Sequence, residues 1–255
     1  MKLHYKAIGE GKPLIILHGL FGSGDNWQTL ARRYSDEYEV FLVDQRNHGH
    51  SPHTEEFSYQ LMAEDLAEFV EDQRFDEFAV MGHSMGGKTA MVYAMEFDQG
   101  LDQLIIVDMA PKSYPVNHGA IMKGLKKADF TKLSSRKEVI EHMMRYENNQ
   151  ATLQFLAKNL YWIEKGKLAW RFNVDAIDRE MMHLVGQPVE GESHVQTLFI
   201  RGGQSNYILV EDEGLLKTNF PFSTLFSIEN AGHWVHAEDP ETFYEISRSF
   251  LDAAY

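Results

Sequence analysis

Six short apolar runs constrain this chain more than any other feature: LIIL (Leu14–Leu17), VFLV (Val40–Val43), FAVM (Phe78–Met81), LIIV (Leu104–Val107), TLFI (Thr197–Ile200) and STLFSI (Ser223–Ile228). A strand with one wet face alternates apolar and polar residues, whereas a run without alternation needs cover on both faces. The segments between carry helical spacing, as where Leu61, Met62, Leu66, Phe69 and Val70 form one stripe. Strand alternating with helix predicts an α/β fold, a mostly parallel sheet with helices on both faces. Glu10-Gly11, between two strand-like runs, reads as the turn of an antiparallel hairpin at one sheet edge. The alternation stops between Pro111 and about Val195, a stretch too long for a plain crossover. An inserted helical cap over 112–194 is therefore expected, with the core formed by 1–111 and 195–255.

Composition narrows the function classes. The formal charge of −14 disfavours nucleic acid or an anionic bilayer as partner. With no cysteine there is neither a disulfide framework nor a thiolate nucleophile or metal site. No segment approaches the ~18 apolar residues of a membrane span, and the start lacks a signal-peptide pattern, so a soluble cytoplasmic protein without stable membrane insertion is expected. Nothing in the sequence speaks to oligomeric state.

The chemistry concentrates in three loops. VMGHSMGGKTAMVYA sets Ser84 between Gly82 and Gly86, directly after one apolar run and directly before a helical segment. That context turns a common GxSxG pattern into a nucleophile elbow, with the serine at a helix N-terminus where backbone N–H groups favour an oxyanion. ILHGLFGSGDNW, after the first central run, can aim a second donor at the same oxygen; Leu20 is the candidate, with Phe21 close behind, to complement Met85. His18 is expected to hold that loop rather than react. IENAGHWVHAEDPETF supplies a base: His233 follows Gly232 in a loop just before a helix with Asp239 as N-cap and Pro240 at its first position. Histidines 48, 50 and 53, or the pair 233 and 236, could suggest a metal, but no HExxH helix or carboxylate partner supports it. No metal or cofactor is expected.

GHSMGG, HGLFGS, DQRNHGHS and AGHWVHAE, in this order over nearly the whole chain, resemble the α/β-hydrolase fold superfamily. The extended GHSMGGKTAM and GHWVHAEDP are most similar to the YbfF-like acyl esterases. In the superfamily, DQRNHGHS usually has Gly where Asn47 stands, and its Asp44 and Arg46 form turns and salt bridges. Most members carry the triad acid after the strand preceding the histidine-bearing one. Here that place is LFIRGGQSNYI, where Gln204, Ser205 and Asn206 stand instead of Asp. LIIVDMAPKSY offers Asp108 at the end of the run that should neighbour the one bearing Ser84, opening onto the same crevice. Asp108 could instead cap a helix or hinge the cap. The resemblance implies the catalytic pairing, with Ser205 as an auxiliary near His233.

A serine at the elbow implies an acyl-enzyme and hydrolysis of small to medium acyl esters or thioesters. A cofactor-free haloperoxidase or carbon–carbon hydrolase would keep the same Ser84, His233 and Asp108, and a ligand sensor on a hydrolase scaffold is a further alternative. In the cap, Phe155, Leu156, Leu160, Tyr161, Trp162, Trp170 and Phe172 could line an acyl pocket or merely hold the cap in place. The basic island of Lys123, Lys126, Lys127, Lys132, Arg136 and Lys137 would suit the phosphates of a coenzyme A thioester if it lay at the mouth; a solvated helix face is the plainer account.

Overall fold

A computed structural model describes residues 1–115 and 119–253. Among the described residues nine strands form in chain order: β1 (Tyr5–Ile8), β2 (Lys12–Leu17), β3 (Tyr38–Val43), β4 (Phe78–His83), β5 (Leu101–Val107), β6 (Leu160–Glu164), β7 (Lys167–Trp170), β8 (Gln196–Gly202) and β9 (Ser223–Ile228). Seven of them make one sheet in the order β1-β3-β2-β4-β5-β8-β9. All neighbours are parallel except β1 against β3.

Each of the six non-alternating runs is a strand of this sheet, and the reason is visible in its burial. Successive residues point to opposite faces, and in five of the six both faces are covered; the exception is the edge strand β9, where Thr224 and Phe226 are exposed. Ile15, Leu17, Val80, Leu104, Ile106 and Phe199 pack into one layer. Their neighbours Leu14, Ile16, Met81, Ile105, Val107 and Ile200 pack into the other, with Trp27, Tyr34 and Phe243.

One expectation needs correction. β1 does not form a hairpin with β2: it pairs with β3, Tyr5 opposite Val43 through Ile8 opposite Val40, and β3 lies between them. The physical reason is edge cover, since an almost wholly buried β3 would otherwise end the sheet, whereas the short, half-exposed β1 takes that position at less risk. The insert between β5 and β8 carries helices, as expected, and a short hairpin besides. It contains the helices Gly119–Lys126, Arg136–Met143, Gln150–Lys158 and Val174–Gly186, and also the antiparallel pair β6 and β7. Gly166, at a φ of 85°, turns this hairpin, which sends Leu160, Leu168 and Trp170 inward. These residues join Met122, Leu153, Leu156 and Ile177 in a third apolar cluster that also takes in Phe21, Phe57 and Met85 from below. Among the described residues no helix is long and apolar enough to cross a membrane.

Candidate active site

The crevice lies at the C-terminal ends of β4, β5 and β8. Ser84 follows β4 with a φ of 53°, a left-handed value rarely adopted by a residue with a Cβ. The strain is possible because its surroundings are glycine. A Cβ on Gly82 would come within 2.2 Å of the Gly86 carbonyl oxygen, and one on Gly86 within 2.5 Å of the Leu17 carbonyl oxygen. The helix Met85–Glu96 thus starts immediately at the serine and packs tightly on β2, with the Met85 N–H among the donors that a first helical turn leaves without a helical acceptor.

In the loop after β2, the Phe21 N–H donates to His48 Nε2 at 3.2 Å, so it is spent. That leaves Leu20 as the donor candidate in HGLFGS, on the wall of the same cavity as Ser84 and Met85. His18 is a strut, as expected: its Nδ1 donates to the Gly19 carbonyl at 2.9 Å and its Nε2 accepts from the Gln45 N–H at 3.1 Å. Burial lowers the affinity of His18 and, more strongly, His48 for a proton, so both are neutral struts. Asp44 accepts from the Gly24 and His50 N–H groups at 2.8 Å, and Arg46 forms a buried ion pair with Asp65. Asn47 takes a φ of 64°, and its Oδ1 accepts from Thr54 N–H at 2.8 Å and from Asn173 of the insert at 3.1 Å.

β5 lies beside β4, with Val107 opposite His83, so Asp108 and Ser84 are the next residues of adjacent strands. Asp108 is fully buried and, at a φ of 47°, also left-handed. It caps no helix. One carboxylate oxygen accepts the Gly202 N–H at 3.0 Å; the other accepts the Ser205 hydroxyl and His233 Nδ1, the latter at 2.8 Å. Since a carboxylate only accepts, Nδ1 carries the proton and Nε2 of the neutral ring is an acceptor. Ser205 bonds to Asp108 rather than to the imidazole, and in turn accepts the Tyr207 N–H at 3.2 Å. Arg201 turns away, donating to Ser227 at 2.6 Å.

Several supports for His233 were not foreseen. The Tyr207 ring stacks on the imidazole with centroids 3.8 Å apart and planes 16° apart. His83 bonds to the His233 carbonyl at 2.9 Å, and Glu238 accepts the N–H groups of Gly232 and Trp234 on either side. His236 is not a second base: it stacks on Trp27 at 4.0 Å, where burial lowers its pKa to about 3. Among the described residues no three His, Cys, Asp or Glu side chains converge as for a metal ion. Tyr207 stands two residues beyond Ser205, but nothing in the spacing marks its ring as part of a stack.

Ser84 and His233 open into a cavity of about 500 Å³. Phe155 and Leu156 of the insert line it, as does Trp234. Leu160, Trp170 and Phe172 are instead buried in the cluster that joins the insert to the core, Phe172 against Phe21, and Trp162 is exposed. None of the six basic-island residues lines the cavity. Lys126, Lys132 and Lys137 pair with Asp178, Asp129 and Glu141, and Arg136 donates to the Ala157 and Leu160 carbonyls.

Comparison with known proteins agrees with this architecture. The family model described as alpha/beta hydrolase fold matches residues 12–240. A putative esterase/lipase of Haemophilus influenzae is 35% identical over 94% of this chain and 83% of its own. Esterase YbfF of Escherichia coli is 34% identical over 95% of this chain and 94% of its own. A solved marine microorganism esterase superposes with a TM-score of 0.95 at 40% identity, covering 98% of this chain and 99% of the other. The chain therefore belongs to the α/β-hydrolase fold family, as a YbfF-like member of its esterase/lipase type.

Proposed function

We propose that this protein is a serine hydrolase that cleaves carboxylic esters or thioesters of small to medium acyl groups through an acyl-enzyme. The observation that carries the reading is the buried Asp108 carboxylate, which accepts His233 Nδ1 at 2.8 Å beside the cavity onto which Ser84 opens. The esterase names borne by the similar proteins support it.

The steps follow from the protonation states. His233 Nε2 takes the Ser84 hydroxyl proton as Oγ bonds to the substrate carbonyl carbon, and the imidazolium is stabilised by Asp108. The carbonyl oxygen becomes an oxyanion facing the N–H groups of Met85 and Leu20. Collapse breaks the bond to the leaving oxygen or sulfur, which receives the proton from His233. Water then attacks the acyl-enzyme with His233 again as base, releasing the carboxylic acid and restoring Ser84. Ser205 is an auxiliary that holds the Asp108 oxygen bonded to the imidazole, and residues 112–194 act as the cap over the acyl chain. The absence of all six basic-island residues from the cavity wall, with Lys126, Lys132 and Lys137 paired to acids, favours simple esters over substrates that need a polyphosphate handle.

Intact mass after fluorophosphonate treatment tests the reading. Wild type should gain one phosphonyl group and Ser84→Ala none, with loss of ester hydrolysis in parallel. An unlabelled wild type, or a labelled Ser84→Ala, would overturn it.

A further inference from the structure

Lys88 is 0% exposed, and it stands one helical turn beyond Ser84 on the helix Met85–Glu96. A spacing of four residues sets the two on the same helix face about 6 Å apart along the axis. Its Nζ donates to the Gln187 carbonyl at 2.5 Å and faces the rings of Tyr59 and Tyr114, 5.4 and 5.2 Å from their centroids. No carboxylate among the described residues pairs with it; burial alone acts on it, lowering its pKa to about 8. Lys88, Tyr59 and Tyr114 all line the cavity that holds Ser84.

A cation in this position needs an explanation. Burying an ammonium without an anion costs several kcal/mol. Holding Gln187, the C-cap of the helix Val174–Gly186, against the core would need only a neutral donor. The aliphatic stem would pack as well ending in a methionine-like tip. The two tyrosine faces stabilise the charge but also restrict where it can sit. They do not compete as acceptors from every side: the Tyr114 hydroxyl is engaged with the Tyr207 carbonyl at 2.7 Å and the Ala110 N–H at 2.8 Å. What remains is a positioned donor on the wall of an otherwise largely apolar pocket, on the nucleophile's own helix.

We propose that Lys88 receives a carboxylate at the far end of the acyl chain, so that half-esters of short dicarboxylic acids are favoured substrates of the Ser84 site. This rests on the serine esterase reading above. The carboxylate would accept charge-assisted hydrogen bonds from Nζ, an interaction that a neutral acyl chain of equal length cannot make. The chain's net charge of −14 repels anions at a distance, so discrimination arises from this local contact rather than from steering.

The test compares monoethyl succinate, glutarate and adipate with ethyl butyrate, pentanoate and hexanoate, followed by pH-stat on wild type and Lys88→Met. For at least one length, the ratio of kcat/KM for the half-ester to that for its neutral match should fall by about tenfold or more in Lys88→Met, the size expected for losing a hydrogen bond to a charged group. An unchanged ratio overturns the proposal and leaves Lys88 as a strut for Gln187. Should the variant not fold, inhibition of wild-type ethyl butyrate hydrolysis decides instead: glutarate must inhibit more strongly than pentanoate, and equal inhibition constants overturn the assignment. If wild type hydrolyses neither series, the esterase reading fails and this inference with it. Hydrolysis of both series with no dependence on Lys88 removes only the inference.

Discussion

Asp108→Asn is the most informative single substitution, because the geometry dictates how the new amide must sit. The oxygen that accepts the Gly202 N–H cannot become nitrogen, since two donors would then face each other. The amide nitrogen must therefore occupy the other position, facing Ser205 and His233. Ser205 can rotate its hydroxyl and accept. His233 can accept at Nδ1 only by moving its proton to Nε2, the nitrogen that should take the proton from Ser84. The variant thus keeps every hydrogen bond and stays folded, yet presents the wrong tautomer and lacks the charge that stabilises the imidazolium. The expected loss in kcat is roughly 10³- to 10⁴-fold, about 4–5.5 kcal/mol of transition-state stabilisation. Steady-state hydrolysis of a neutral ester, with a thermal melt in parallel, measures both halves. Turnover within tenfold of wild type, in a variant that melts normally, would refute Asp108 as the acid.

Replacing Tyr207 with Leu removes the ring stacked on His233 and should lower kcat up to about tenfold with little change in KM; an unchanged kcat would make the stack incidental. Gly86→Ala drives a Cβ to 2.5 Å from the Leu17 carbonyl oxygen, and the destabilisation of at least about 2 kcal/mol should lower Tm by several degrees and misplace the serine. His236, ordinarily near 6.5 but lowered to about 3 by burial, stays neutral while its unfolded counterpart charges, so the native state loses stability as pH falls from about 6.5 toward 3. His236→Phe should consequently shift the acid-unfolding midpoint to lower pH, as followed by circular dichroism; a midpoint at or above that of wild type contradicts the assignment.

The parallel sheet was legible because strands buried on both faces leave no polar alternation, and the elbow was legible because only glycine tolerates the approach between Gly82 and Gly86. The contact between Asp108 and His233 could be anticipated by combining a turn at 204–206 that holds no carboxylate with the neighbouring of β4 and β5. Other features lack a local signal. The partner of β1 is chosen by what the far edge of β3 needs, which a turn dipeptide cannot disclose. The hairpin of β6 and β7 is short, and its aromatic residues suit a pocket wall as well as a strand. Lys88 resembles any helix lysine until the insert closes over it, and Lys126 of the basic island pairs with Asp178, an acid that sequence spacing does not reveal. In each case the deciding contact spans elements distant along the chain.

Ser84 and Asp108 end adjacent strands at the same level, both in left-handed conformations, whereas His233 rides on a loop. On the proposed mechanism this divides the triad between two kinds of support. The nucleophile and the acid inherit the spacing of a sheet ladder, which resists thermal distortion. The imidazole, which takes the proton from Ser84 and passes it to the departing group, is held instead by side chains: the Tyr207 ring, Asp108 and the Glu238 bonds on either side of it. Changes in the loop after β8 that spare Ser205 and Tyr207 would then leave the carboxylate in place, because Asp108 stands on the neighbouring strand. Outside those two supports, the loop has a latitude that is closed to hydrolases whose acid sits upon it.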